Sequence, residues 1–147
     1  MNNDNMLEKL TEVFQLFEEF NKQGFLENYG NLNINEVHAI SFIGRTEFAN
    51  VTKTTEFLKI TKGAVTKITK KLILNGYLSV YQTELNKKEK YFKLTEKGQV
   101  VFDKHEKLHE DAWQKDKKIF DQFDENDKDV IYKFLEVIKD DFDGKLK

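Results

Sequence analysis

The apolar residues of this chain change their spacing twice, and that change limits the folds open to it. Up to residue 76 they recur at three- and four-residue steps. Between 77 and 94 they fall into two short runs rich in Tyr, Phe, Val and Leu, and from 95 the helical spacing returns. The pattern predicts helices, one hairpin, then helices again. That is a mainly α fold with a small antiparallel β-hairpin. The complete absence of Pro leaves nothing to interrupt long helices.

Leu7, Leu10, Phe14, Phe17 and Phe20 predict a first helix over about 5–23, with Gly24 and Gly30 bracketing a short break. Asn33 is placed to cap a second helix carrying Ile34, Val37, Ile40 and Ile43, with Glu36 in the capping-box position. Thr52 or Thr54 is expected to open a short third helix. Thr61 caps a fourth with Val65, Ile68, Leu72 and Ile73 on one face, and Asn75-Gly76 ends it. Strands follow at Tyr77–Leu85 and Lys90–Leu94, joined by a turn at 86–89. Thr95 caps a long helix reaching towards Phe120, and Asp124 opens a last one with Val130, Ile131, Phe134, Leu135, Ile138 and Phe142 on its apolar face.

Composition narrows the function. Zero Cys removes disulfides, thiolate zinc sites and cysteine nucleophiles. No apolar run approaches the roughly 20 residues of a membrane span, and no basic-then-apolar leader opens the chain. A soluble cytoplasmic protein is therefore expected, and 147 residues suit a single domain. No Gly-rich phosphate loop or Ser-His-Asp grouping points to an enzyme. The net charge of −2 conceals a polarity: residues 51–97 hold 11 Lys against 4 acidic residues. A basic middle between acidic ends fits an anionic partner bound by the middle alone.

Two short helices joined by a tight turn and followed by a two-stranded ribbon make a winged helix-turn-helix. In the second of those helices Thr61, Lys62, Gly63, Thr66, Lys67, Lys70 and Lys71 lie outside the apolar face, and Gly63 and Ala64 are small enough for close approach to DNA. Lys88 and Lys90 add charge on the ribbon. The stretches TKGAVTKITKKLILNGYL and NKKEKYFKLTEKG resemble the recognition helix and wing of the MarR family of bacterial regulators, and the resemblance extends over nearly the whole chain. The family's wing carries an Asp-x-Arg where this chain has Asn86 and Lys88, which replaces a planar guanidinium with a point charge. The resemblance implies a homodimer joined by its terminal helices, about 5–28 and 98–145, around a DNA-binding lobe at about 33–97. It also implies a palindromic double-stranded DNA operator.

The three histidines are His38, His105 and His109. His105-Glu106-Lys107-Leu108-His109 matches H-E-x-x-H, with both imidazoles on one helix face, but no third ligand follows at a peptidase spacing. Within the MarR family, the chain is similar to zinc-responsive regulators of zinc uptake. That similarity implies one Zn(2+) per protomer on His38, His105, His109 and a carboxylate, with Glu19 first and Glu18 or Glu27 behind it. It implies a zinc-activated repressor. The subgroup's second metal site is unmatched, with Val37 and Lys104 where carboxylates would stand. The alternative is a MarR-type regulator of a small phenolic or lipophilic ligand, in a pocket to which Phe20, Phe25, Tyr29 and Trp113 could contribute. Ordinary core packing explains those aromatics equally well.

Overall fold

Side chains that accept hydrogen bonds from the unpaired amides at helix starts set most of the element boundaries. The computed structural model describes residues 1–146. Its order is α1 (Asn3–Tyr29), α2 (Ile34–Arg45), α3 (Val51–Leu58), α4 (Lys62–Leu74), β1 (Leu78–Tyr81), β2 (Tyr91–Leu94), α5 (Glu96–Lys117), a 3₁₀ turn (Lys118–Gln122) and α6 (Glu125–Leu146). Asn33 and Glu36 form the expected reciprocal capping box on α2. Thr61 caps α4 through the Ala64 amide, Thr95 Oγ1 accepts from the Gly98 amide at 3.1 Å, and Asp124 caps α6 through Asp127. Asn75 and Gly76 end α4, Gly76 at a φ of 82° that favours glycine.

Three boundaries differ from the sequence expectation. α1 runs through Gly24 to Tyr29 instead of breaking. A mid-helix glycine costs only about 1 kcal/mol, and Phe25 and Tyr29 beyond it pack on the core. The cap of α3 is Asn50, whose side chain accepts from the Lys53 amide at 2.8 Å, rather than Thr52 or Thr54. Those threonines lie inside the helix, where Thr54 is buried with its hydroxyl on the Asn50 carbonyl. The first strand stops at Tyr81, because the antiparallel ladder runs only from Leu78↔Leu94 to Tyr81↔Tyr91. Past it, the loop closes on side chains instead. Asn86 Oδ1 accepts from the Lys88 and Glu89 amides, and Thr83 Oγ1 from the Asn86 amide.

The chain divides into two compact units, one from Met1 to Glu106 and one from Lys107 onward. The core of the first is built on α2. Val37, Ala39, Ile40 and Ile43 are buried with Leu32, Ala49, Leu72, Leu78 and Phe92. Each such large side chain contributes roughly 1.5–3 kcal/mol. The wing is tied in by the Phe92 amide donating to the Ala49 carbonyl at 2.8 Å and by Asn50 Nδ2 donating to Glu89 Oε1 at 3.1 Å. Two glycines permit close approaches: a Cβ on Gly44 would overlap the Phe102 ring of α5, and one on Gly98 would overlap the Tyr77 carbonyl oxygen. In the second unit, α6 holds no fully buried residue among those described.

Two substitutions separate these glycine roles. Gly98→Ala is expected to destabilise by about 2 kcal/mol or more, since backbone must shift. Gly24→Ala, whose Cβ meets nothing within 4 Å, is expected to stabilise by about 0.5–1 kcal/mol. Urea midpoints of the two variants against the parent measure both.

Candidate nucleic-acid interface and histidine pair

α4 presents its polar side outward because its apolar side is consumed by the core. Val65, Thr69 and Leu72 are buried, and Ile68 is half-buried. Thr61, Lys62, Gly63, Lys67 and Lys70 are exposed, and Thr66 is half-buried with its hydroxyl on the Lys62 carbonyl at 2.9 Å. Nothing stands within 4 Å of a Cβ built on Gly63, so the start of the helix is open to close approach. The helix N-terminus adds partial positive charge beside Lys62.

The wing brings further cations to the same side of the lobe. A groove of about 400 Å³ between α4 and the wing is lined by Thr66, Lys70 and Ile73 from the helix and by Lys88, Glu89, Lys90 and Phe92 from the wing, so three lysines share it with one carboxylate. The Asn86 turn fixes the backbone from which Lys87 and Lys88 project. Lys71 differs from the other α4 lysines: its Nζ lies 3.2 Å from Oε1 of Glu36, which is 1% exposed. Sequence reasoning identifies Glu36 only as a capping residue. Its burial depends on a partner 35 positions away, so no local pattern signals it.

The histidines divide between elements. His38 on α2 and His105 on α5 lie with ring centroids 6.0 Å apart and nearly edge to face. Tyr29, at the end of α1, stands 6.1 Å from the same His105 ring and 4.8 Å from Phe25. Burial raises the Tyr29 phenol above its ordinary pKa. His105 is buried at 8% exposure, as its place on the apolar stripe of α5 requires. His109 is exposed four residues further along α5, in the second unit.

Two imidazoles on one tetrahedral zinc, each with nitrogen at about 2.0–2.1 Å, hold their centroids roughly 5 Å apart. His38 and His105 are thus about 1 Å wider than a ligating pair. The carboxylates are less well placed. Glu18, Glu19 and Glu27 are all exposed on α1, and Glu19 precedes Tyr29 by ten residues, about 15 Å of helix. Among the described residues, no three His, Cys, Asp or Glu side chains gather closely enough to hold a metal ion. Of the expected ligands, His38 and His105 are the two from different helices whose rings approach each other.

Comparison with known proteins agrees with this architecture. Residues 32–98 match the family model of a winged helix DNA-binding domain. The HTH-type transcriptional regulator PchR of Bacillus subtilis is 36% identical over 126 residues, covering 86% of this chain and 73% of that protein. FabT of Streptococcus pneumoniae, crystallised in complex with DNA, is similar in structure at a TM-score of 0.76 and 24% identity, over 99% of this chain and 100% of that one. The zinc-responsive MarR family member ZitR of Lactococcus lactis reaches 0.77 at 23% identity, over 93% and 99%. At such identities the two structures speak for the fold. Together with the capped fourth helix, the short wing and the PchR relationship, they lead to one conclusion: the chain belongs to the winged helix, HTH-type transcriptional regulators, and its fold is that of the MarR family.

Proposed function

We propose that this regulator works as a homodimeric, zinc-activated repressor. On this reading, DNA is held by Thr61, Lys62, Gly63, Thr66, Lys67 and Lys70 of α4, with Lys88 and Lys90 of the wing. The DNA reading is supported by the outward placement of these residues and by the groove that joins helix and wing cations. A two-fold assembly on a palindromic operator is supported by the terminal helices. α1 leaves Leu7, Leu16, Phe17 and Phe20 more than half exposed, and α6 does the same with Val130 and Val137. Apolar surface of this extent is characteristic of interaction sites. None of the described helices is long and apolar enough to cross a membrane, and cytoplasmic action follows from the role on DNA.

The zinc reading rests on one observation, the approach of His38 and His105 from helices 67 positions apart in sequence. His109, the carboxylate and the link to zinc-uptake genes enter from the sequence resemblance alone. When bound, zinc supplies Lewis-acid bonds to neutral imidazole nitrogens. His38 belongs to the helix against which α4 packs, and His105 to the helix that follows the wing. Holding these two together stiffens the base on which the recognition helix sits. Any ligand that favours the DNA-competent geometry raises DNA affinity by the factor by which DNA raises its own.

Two measurements test the proposal. Metal-free protein titrated with zinc against a competing chelator is expected to bind one zinc per protomer and to gain about tenfold or more in affinity for a selected duplex. Loss of both effects in His38→Ala is the expected companion result. Zinc binding no tighter in the parent than in the variant contradicts the metal reading and leaves a regulator of a small phenolic or lipophilic ligand. Release of DNA by zinc contradicts activation. Separately, Lys67→Ala and Lys70→Ala are each expected to flatten the salt dependence of DNA binding by about 0.9 in log–log slope per protomer. An unchanged slope in both moves the phosphate contacts elsewhere.

A further inference from the structure

The lysines of α4 do not act as one set. Val65, Thr69 and Leu72 mark the inward face. At about 100° per residue, Lys67 falls roughly opposite it, and Lys70 and Lys71 fall about 130° from it on opposite sides, so what sets Lys71 apart is its partner on α2 rather than its angle. Lys71 Nζ reaches Glu36 Oε1 at 3.2 Å. The same oxygen accepts from the Asn33 amide at 3.3 Å, closing the capping box at the start of α2. The other oxygen, Oε2, is buried with no hydrogen-bond partner among the described residues. A carboxylate held this far from water needs a counter-charge, and removing that partner leaves the charge uncompensated.

We propose that Lys71 is a positioning residue: it neutralises Glu36 and so locks the recognition helix onto α2, and it makes no contact with DNA phosphate. The proposal rests on the reading of α4 as the DNA-contacting helix. It reassigns one of the four α4 lysines that the sequence marks for DNA. Half of the Lys71 side chain remains in solvent, at 54% exposure. The side chain thus keeps much of its length in solvent while its ammonium sits at the buried carboxylate.

The two roles differ in what they do to the salt dependence of binding. The test uses the full-length protein and a fluorescent duplex selected from a random pool by the parent, with affinity measured across a salt series. Lys71→Met is expected to weaken binding about tenfold while leaving the log–log salt slope at the parent value, because no phosphate contact is lost. Glu36→Gln keeps an acceptor for the Asn33 amide and removes the charge that Lys71 answers. The double variant Glu36→Gln/Lys71→Met is therefore expected to bind within about threefold of the parent, with the parent's slope. The inference is overturned if the double variant stays as weak as Lys71→Met, or if either carries a slope reduced by about 0.9 per protomer. Should Lys71→Met fail to fold, the double variant alone decides. Lys67→Ala and Lys70→Ala serve as controls: if both keep the parent's slope, the assignment of α4 to DNA fails first, and that outcome is distinct from failure of the Lys71 role.

Discussion

The enclosure of α2 is the constraint on which the rest of the DNA-binding lobe depends. Val37, Ala39 and Ile40 are completely buried, so this helix has partners on several sides at once. Leu72 of α4 and Leu78 and Phe92 of the hairpin belong to the same core, and Gly44 lets the Phe102 ring of α5 close against it. Each neighbour is positioned relative to α2, and through α2 relative to the others. A recognition helix needs this arrangement. Its outward side is given to small and cationic residues that contribute little to packing, so its orientation must come from the inward side and from what that side rests upon.

The outward side follows a simple division of labour. Small residues at the start of α4 leave room for close approach, and lysines further along and on the wing supply charge. The wing lacks a guanidinium at its tip, and its geometry comes from hydrogen bonds along and beneath the loop instead. The Asn86 side chain closes the turn, the Asn50–Glu89 hydrogen bond holds its base, and the Phe92–Ala49 backbone hydrogen bond extends the ribbon towards α3. Lysines on such a frame act as point charges on a fixed scaffold. That arrangement suits phosphate contacts better than bidentate reading of a base edge.

Much of this architecture is legible in the sequence because it rests on local chemistry. The caps at Asn33, Thr61, Thr95 and Asp124 and the stop at Asn75-Gly76 each depend on a few neighbouring residues, and all of them can be read from residue order. Features that depend on distant partners are less readable. Gly24 reads as a break because propensity is local, whereas Phe25 and Tyr29 gain from a core assembled elsewhere. Tyr77–Leu85 reads as one strand because its side chains suit a sheet, but a strand lasts only as long as its partner, and pairing ends at Tyr81↔Tyr91. The Glu36–Lys71 pair is hidden from the sequence for the same reason. For the histidines, only the resemblance to zinc-responsive regulators groups all three, and the structure places the His38 and His105 rings 6.0 Å apart. Glu19, whose place in the resemblance depends on a short gap, stands ten residues up the helix from Tyr29, the ring that neighbours His105.

On the proposed reading, the exposed side of α4 and the wing form the surface that engages DNA. Amide hydrogen exchange of the full-length protein, with and without a selected duplex, tests it most directly because it reports on every segment at once. The account predicts added protection concentrated at residues 61–71 and 86–90. Unchanged exchange in both segments, with protection appearing only elsewhere in the chain, would contradict it.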